Sequence, residues 1–274
     1  MKKILFVTDL YYKANGRNYY EEDLYLTSKL REDFNLLICN PRDINKFNED
    51  FDLIVFRNTG PAANFDNEYK VFREKIKTHN LLTYNSFDGH GDMNGKDYLI
   101  ELTNKNLPVI KTIDNISNFN KLPDVKKYII KPKDGADSIG LEFLCKEEIF
   151  NKVKKDDYNT LIQPFIDFQY EVSFYYIDDE FQYALYAPDK NRRWEMKEYD
   201  PTQEDFEFCK SILDWNNLSH GIQRIDACRN EEGQLLLVEH EDLNPYLSIL
   251  DISPSLRDKF MGSLKKSLSN LLSL

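Results

Sequence analysis

A chain of 274 residues is long enough for one large domain or two to three small ones, and its 41% apolar and 14% aromatic share is that of a globular protein with a buried core. A net charge of −11 excludes a general binder of nucleic acid or anionic membrane, which needs a basic surface to neutralise phosphates, while allowing a local basic pocket. The four cysteines, Cys39, Cys145, Cys209 and Cys228, have no C-x-x-C spacing and read as buried free thiols. The N-terminal apolar run is too short for a signal peptide, and no run approaches the roughly 18 apolar residues of a membrane span, so a cytoplasmic location is expected.

Ile4 to Val7 is an apolar run that fits a strand buried on both faces. Tyr11 to Tyr20 is a polar, tyrosine-rich segment around an Asn15-Gly16 turn, and Glu21 to Leu30 takes up helical spacing. Asn35 to Cys39 and Asp52 to Phe56 are the next strands, followed by a helix over Phe65 to Ile76 and a strand over Leu81 to Tyr84. This alternation predicts a small α/β domain. Phe87 to Gly95 holds three glycines in nine residues and marks a boundary or hinge. Lys96 then opens a helix, and Val109-Ile110 reads as a short strand. Further strands are expected at Tyr128 to Ile130, Leu141 to Leu144 and Thr160 to Ile166, with a short helix near Glu147 to Val153. Two hairpins follow, Glu171 to Ile177 with Phe181 to Tyr186, and Ile222 to Cys228 with Leu235 to Glu239, separated by a helix over Phe206 to Trp215. Beyond Pro254 an apolar stripe of Leu256, Phe260, Leu264, Leu268 and Leu271 predicts a final helix packed on the domain.

Two features carry chemistry. Around the loop between Tyr128 and Leu144 stand Lys131, Lys133, Gly135, Ser138 and Gly140. Small residues let backbone N–H groups approach an anion, and a lysine at the strand end supplies a point charge, which is how phosphate is handled. A Walker A loop is excluded, because the lysine precedes the glycines. The second feature is Arg224-Ile-Asp226 with Val238-Glu-His-Glu241. Asp226 and Glu239 on neighbouring antiparallel strands can converge on one face, Glu241 shares the parity of Glu239, and hard oxygen ligands of this kind suit Mg²⁺. His240 has the opposite parity and is expected to pack on the other face.

The order of these parts resembles the ATP-grasp superfamily, in particular its glutathione synthetase-like and RimK-like carboxylate-amine ligases. The resemblance covers nearly the whole chain. Its most specific stretches are Asn94-Gly-Lys96 through Thr112, Ile130-Lys-Pro132 with its loop, and Arg224-Ile-Asp226 through Asn244-Pro245. It implies an α/β (α+β) fold with a Rossmann-like pre-ATP-grasp domain over residues 1–90. A small lobe over 91–166 and a C-terminal lobe with a metal site over 167–274 would then enclose the nucleotide. It makes Lys96 and Lys131 the cations on the nucleotide phosphates, with Lys133 beside them and the loop of Gly135, Ser138 and Gly140 folding over. Gln163, Pro164, Phe165 and Ile166 become the hinge whose backbone holds adenine, with Asp167 or Glu171 reaching the ribose. Asp226, Glu239 and Glu241 become the ligands of Mg²⁺, or of Mn²⁺.

The implied activity is ATP-dependent ligation of a carboxylate to an amine through an acyl-phosphate, on amino acid, peptide or other small substrates. Arg224, Arg193 and Lys131 are the catalytic cations, and a homodimer is allowed. The chain departs from the family pattern in two places. Glu241 replaces the usual asparagine of Glu-x-Asn, and Ser173 replaces a phosphate-facing arginine, so that Arg192, Arg193 or Arg224 has to supply that charge. These departures keep open an ATP-binding regulatory or scaffold protein without turnover, and a phosphotransferase that stops at a phosphorylated product is a further alternative.

Overall fold

The structure is a computed structural model and describes residues 1–13, 18–46, 50–57, 62–133, 140–154, 157–190, 192 and 195–273. The first sheet is built from apolar runs that need cover on both faces. β1 (Lys3–Val7), β2 (Asn35–Cys39), β3 (Leu53–Phe56) and β4 (Thr83–Tyr84) pair in the parallel order β2-β1-β3-β4. α1 (Glu21–Leu30) covers one face with Leu26 and Leu30, and α2 (Asp66–His79) covers the other through Phe72. Such parallel sheets place their loops and functional groups at the strand C-terminal ends. Here those ends carry the buried side chains of Thr8 and Arg57.

The glycine-rich stretch after β4 is a tight turn tied to the far end of the chain. Asp242 accepts the N–H groups of Gly91 and Met93, both at 2.9 Å. α3 (Tyr98–Asn104) follows and buries Tyr98, Leu99 and Leu102 against the later strands. The strand expected at Val109-Ile110 is instead a single parallel bridge from Val109 to Leu237. It ends there because the Thr112 N–H turns to the Thr103 hydroxyl at 2.9 Å rather than continuing the ladder.

A three-stranded antiparallel sheet comes next, in the order β6-β5-β7, from β5 (Tyr128–Pro132), β6 (Glu142–Leu144) and β7 (Thr160–Pro164). α4 (Lys146–Lys152) and the segment from Ile113 to Leu122 close a small core around Tyr128, Ile130, Ile149 and Ile162. The largest sheet is antiparallel with the order β10-β9-β8-β11-β12, formed by β8 (Phe168–Ile177), β9 (Glu180–Ala187), β10 (Lys197–Glu198), β11 (Ile222–Asn230) and β12 (Leu235–Glu241).

Alternation along β8 feeds two cores. Val172, Phe174 and Tyr176 face α3 and α5 (Gln203–Asn216), while Tyr175 and Ile177 face the first sheet and α6 (Pro254–Leu271). The stripe of α6 points inward as its spacing predicts, with Phe260, Leu264 and Leu268 buried and Leu256 and Leu271 at the margin. The helix thus glues the parallel sheet to the large antiparallel one. No described helix is long and apolar enough to cross a membrane.

Candidate active site

The site grows from the pairing of β11 with β12. Arg224 stands opposite Glu241 and Asp226 opposite Glu239, with a register shift just after Asp226. Side chains two apart on a strand share a face, so Arg224, Asp226, Glu239 and Glu241 all project to one side. Carboxylate oxygens of Asp226, Glu239 and Glu241 lie within 4.8 Å of one another. Burial pushes Glu241 up to about 8, and Asp226 and Glu239 add to that shift against the pull of Arg224.

Two kinds of cation meet this cluster. Lys96, which leads into α3, reaches Glu239 at 3.3 Å. Arg224 binds its neighbours as a fork: Nη2 lies 2.7 Å from Asp226 Oδ2 and 2.6 Å from Glu241 Oε1, and Nε lies 3.0 Å from Asp226 Oδ1. Its Nη1 donates to the Tyr246 carbonyl at 2.8 Å. From β8, the Ser173 hydroxyl donates to Asp226 Oδ1 at 2.7 Å. Ser173, where the resemblance expects an arginine, therefore holds the Asp226 carboxylate, and Arg224 is the arginine bonded to that same carboxylate.

Across from the cluster, Lys131 projects from β5 of the small sheet. It is partly buried, and burial lowers its pKa, with Glu239 opposing the shift and Lys96 reinforcing it. The three groups are close enough to act on one another. The residues after β7, 165–167, form the short link from the small sheet into β8 of the large one. The carboxylate cluster thus sits on one sheet and Lys131 on the other, and the chain crosses between the two sheets at 110–113 and again at 165–167.

No family model matches the sequence, and no curated protein matches it at a significant level. Solved structures do. D-cycloserine synthetase DcsG superposes with a TM-score of 0.70 at 16% identity, over 96% of this chain and 99% of that one. The D-alanine-D-alanine ligase of Bacillus anthracis, solved with ATP, gives 0.69 at 12% identity, over 100% and 98% of the two chains. The ATP-grasp ligase PsnB, solved with a phosphomimetic variant of its minimal precursor, Mg and ADP, gives 0.63 at 14% identity, over 98% and 97%. The chain has the ATP-grasp fold.

On this ATP-grasp fold the other expected site residues fall as follows. Gln163 is buried, and its amide donates to Thr112 Oγ1 at 2.8 Å. Pro164 pairs with Tyr128, and the Phe165 N–H bonds to the Lys127 carbonyl at 3.0 Å, which fixes the start of the link. Ile166 is half-buried, whereas Asp167 is exposed and forms an ion pair with Lys190 at 2.8 Å. Glu171 lies on β8 in register with Ala187 and Cys228. Lys133 is committed to Asp97 and to Asp114, the latter at 3.0 Å, which ties β5 to the approach to α3. Gly140 has φ +77°, and a Cβ there would come within 3.2 Å of the Pro132 ring, so glycine is required.

Gly135, Ser138, Arg193, Arg17 and the Asn15-Gly16 turn lie outside the described residues. Arg192 is bound to Asp189 and Glu195 on the surface. His240 is buried against Trp215 on the opposite face, and among the described residues neither ring nitrogen has a hydrogen-bond partner. Burial lowers its pKa.

Sequence reading missed a second charged cluster just behind Arg224. Arg57, fully buried at the end of β3, donates to Glu22 at 2.7 Å, to Asp23 at 3.1 Å and to the Pro245 carbonyl at 2.6 Å. Glu22 in turn accepts the Leu247 N–H at 3.0 Å with each oxygen. The only signal was an arginine closing an apolar strand, and its partners are remote in sequence.

Proposed function

We propose that this protein is an ATP-dependent ligase that joins a carboxylate to an amine, releasing ADP and phosphate. The observation that carries the reading is the convergence of Asp226, Glu239 and Glu241 with Lys96 and Lys131 at the junction of two sheets of an ATP-grasp fold. Three carboxylates converging this closely make a hard-oxygen donor set suited to a divalent cation, and PsnB was solved with Mg and ADP. Glu239 and Glu241, with Asp226 beside them, would hold Mg²⁺, which when bound neutralises charge on the nucleotide phosphates.

A carboxylate is inert to amines because oxide is too poor a leaving group. Transfer of the γ-phosphoryl group forms a carboxylate O–P bond, breaks the bond to the β-phosphate and releases ADP. The amine then attacks the acyl carbon, its proton passes to solvent, and phosphate leaves. Lys131 and Lys96 bind and orient the triphosphate, and the partial burial of Lys131 strengthens its attraction for an anion. Four of the five N–H hydrogens of Arg224 are engaged by Asp226, Glu241 and Tyr246, leaving one on Nη1 for the tetrahedral oxyanion. No side-chain nucleophile is required.

The test is incubation of the purified chain with Mg-ATP and mixtures of amino acids, peptides and small acids, reading nucleotides and masses together. ADP with a new mass of acid plus amine minus water supports the ligase. ADP with a stable phosphorylated acceptor indicates a phosphotransferase instead.

A further inference from the structure

The position of Arg224 bears on how many metal ions the site takes. Its guanidinium bridges the two ends of the carboxylate triad, with Nη2 on both Asp226 and Glu241 and Nε on both oxygens of Asp226. With Ser173 added, the lone pairs of Asp226 are essentially filled, since a carboxylate offers about four acceptor sites. Glu239, between these two along the pairing, is engaged differently, by Lys96 at 3.3 Å.

The guanidinium is also held from behind. Nη1 is tied to the Tyr246 carbonyl, and the residues on either side of Tyr246 are gripped by Arg57 on the Pro245 carbonyl and by Glu22 on the Leu247 N–H. Arg224 is only 15% exposed, and arginine does not lose its charge in proteins. A permanent positive charge therefore stands between Asp226 and Glu241. The departure at position 241 fits this arrangement: a glutamate holds a guanidinium by charge as well as by hydrogen bonding, which the usual asparagine of the family pattern cannot do.

We infer that, in its nucleotide complex, this site takes a single divalent cation, held by Glu239 and Glu241, and that Arg224 supplies the second positive charge. A second divalent ion would have to share Asp226 with a guanidinium already on both of its oxygens. The inference rests on the proposed function, because it presumes that nucleotide and metal meet at this triad.

Manganese and the non-hydrolysable analogue AMPPNP serve as probes. The chain saturated with AMPPNP is titrated with Mn²⁺, and free Mn²⁺ is read by electron paramagnetic resonance, with the bound spectrum examined for coupling between neighbouring ions. One Mn²⁺ per chain without coupling is expected, and two coupled ions overturn the inference while leaving the ligase reading intact. Absence of AMPPNP binding with or without Mn²⁺ removes the ligase reading itself, and the inference with it. Arg224→Met should raise the count from one to two and Arg224→Lys should leave it at one. A count that stays at one in Arg224→Met shows that the guanidinium does not exclude the second ion. The wild-type count decides the matter even if Arg224→Met does not fold.

Discussion

Arg57, at the end of a strand in the first sheet, donates to the carbonyl of Pro245 at 2.6 Å across 188 residues of sequence. This bond, with the two from the Leu247 N–H to Glu22, fixes the segment that follows the carboxylate strand and whose Tyr246 carbonyl orients Arg224. The N-terminal sheet thus reaches the candidate site through the backbone, without adding a ligand to it.

Removal of Arg57 leaves Glu22 and Asp23 buried without their cation. Arg57→Met should lower stability by about 3–5 kcal/mol, the usual cost of orphaning a buried charge. Urea denaturation measures this, and the triple replacement Glu22→Gln, Asp23→Asn, Arg57→Met should recover much of the loss.

Glu22 also makes stability depend on pH. Burial raises its pKa from 4.5 to about 8, with Asp23 adding to the shift and Arg57 opposing it. The folded chain therefore binds a proton that the unfolded chain has released. This contribution is fully present below about pH 4.5 and is lost as pH rises through about 8. The unfolding free energy of wild type, from urea denaturation, should fall between pH 5.5 and 8.5 more steeply than that of Glu22→Gln, by an amount on the order of a few kcal/mol.

Ser173 acts on Asp226 alone among the site carboxylates. Ser173→Ala should leave Mn²⁺ affinity in the nucleotide complex nearly unchanged, because Asp226 stays occupied by Arg224 and lies outside the pair that holds the ion; a loss of about tenfold, the lower range for a group that orients a metal ligand, would place Asp226 on the ion. Nucleotide affinity without metal should be unchanged, and paired titrations separate the two.

Lys131 carries its charge in a partly buried place facing Glu239 and Lys96. Lys131→Ala should cost roughly 1.5–3 kcal/mol of nucleotide affinity, the range for hydrogen bonds to charged groups. Isothermal titration with AMPPNP reads this, and an unchanged unfolding transition shows that the fold is retained. Lys133→Ala should affect nucleotide less and stability more, because Lys133 is spent on Asp97 and Asp114.

Much of this site is legible in the sequence because it lies on strands with a period of two. Parity alone places Asp226, Glu239 and Glu241 on one face and His240 on the other. The apolar runs of β1, β3 and β7 and the stripe of α6 likewise announce their elements. The rest depends on contacts between distant residues. Lys131 and Lys133 look alike in sequence, and only the approach of Asp97 and Asp114 separates their roles. Val109-Ile110 has the composition of a strand, yet Thr103 ends its ladder after one bridge. Arg57, Glu22 and Asp23 each look like ordinary surface charges until the fold buries them together.

The most direct test of the ligase account follows oxygen. Once an acid substrate has been found, it is labelled with ¹⁸O in its carboxylate and turned over with Mg-ATP and the amine, and the phosphate released is analysed by mass. The account predicts one ¹⁸O atom in each phosphate, carried over when the acyl-phosphate breaks down. Phosphate without label, alongside amide product, would show that the carboxylate is never phosphorylated and would contradict it.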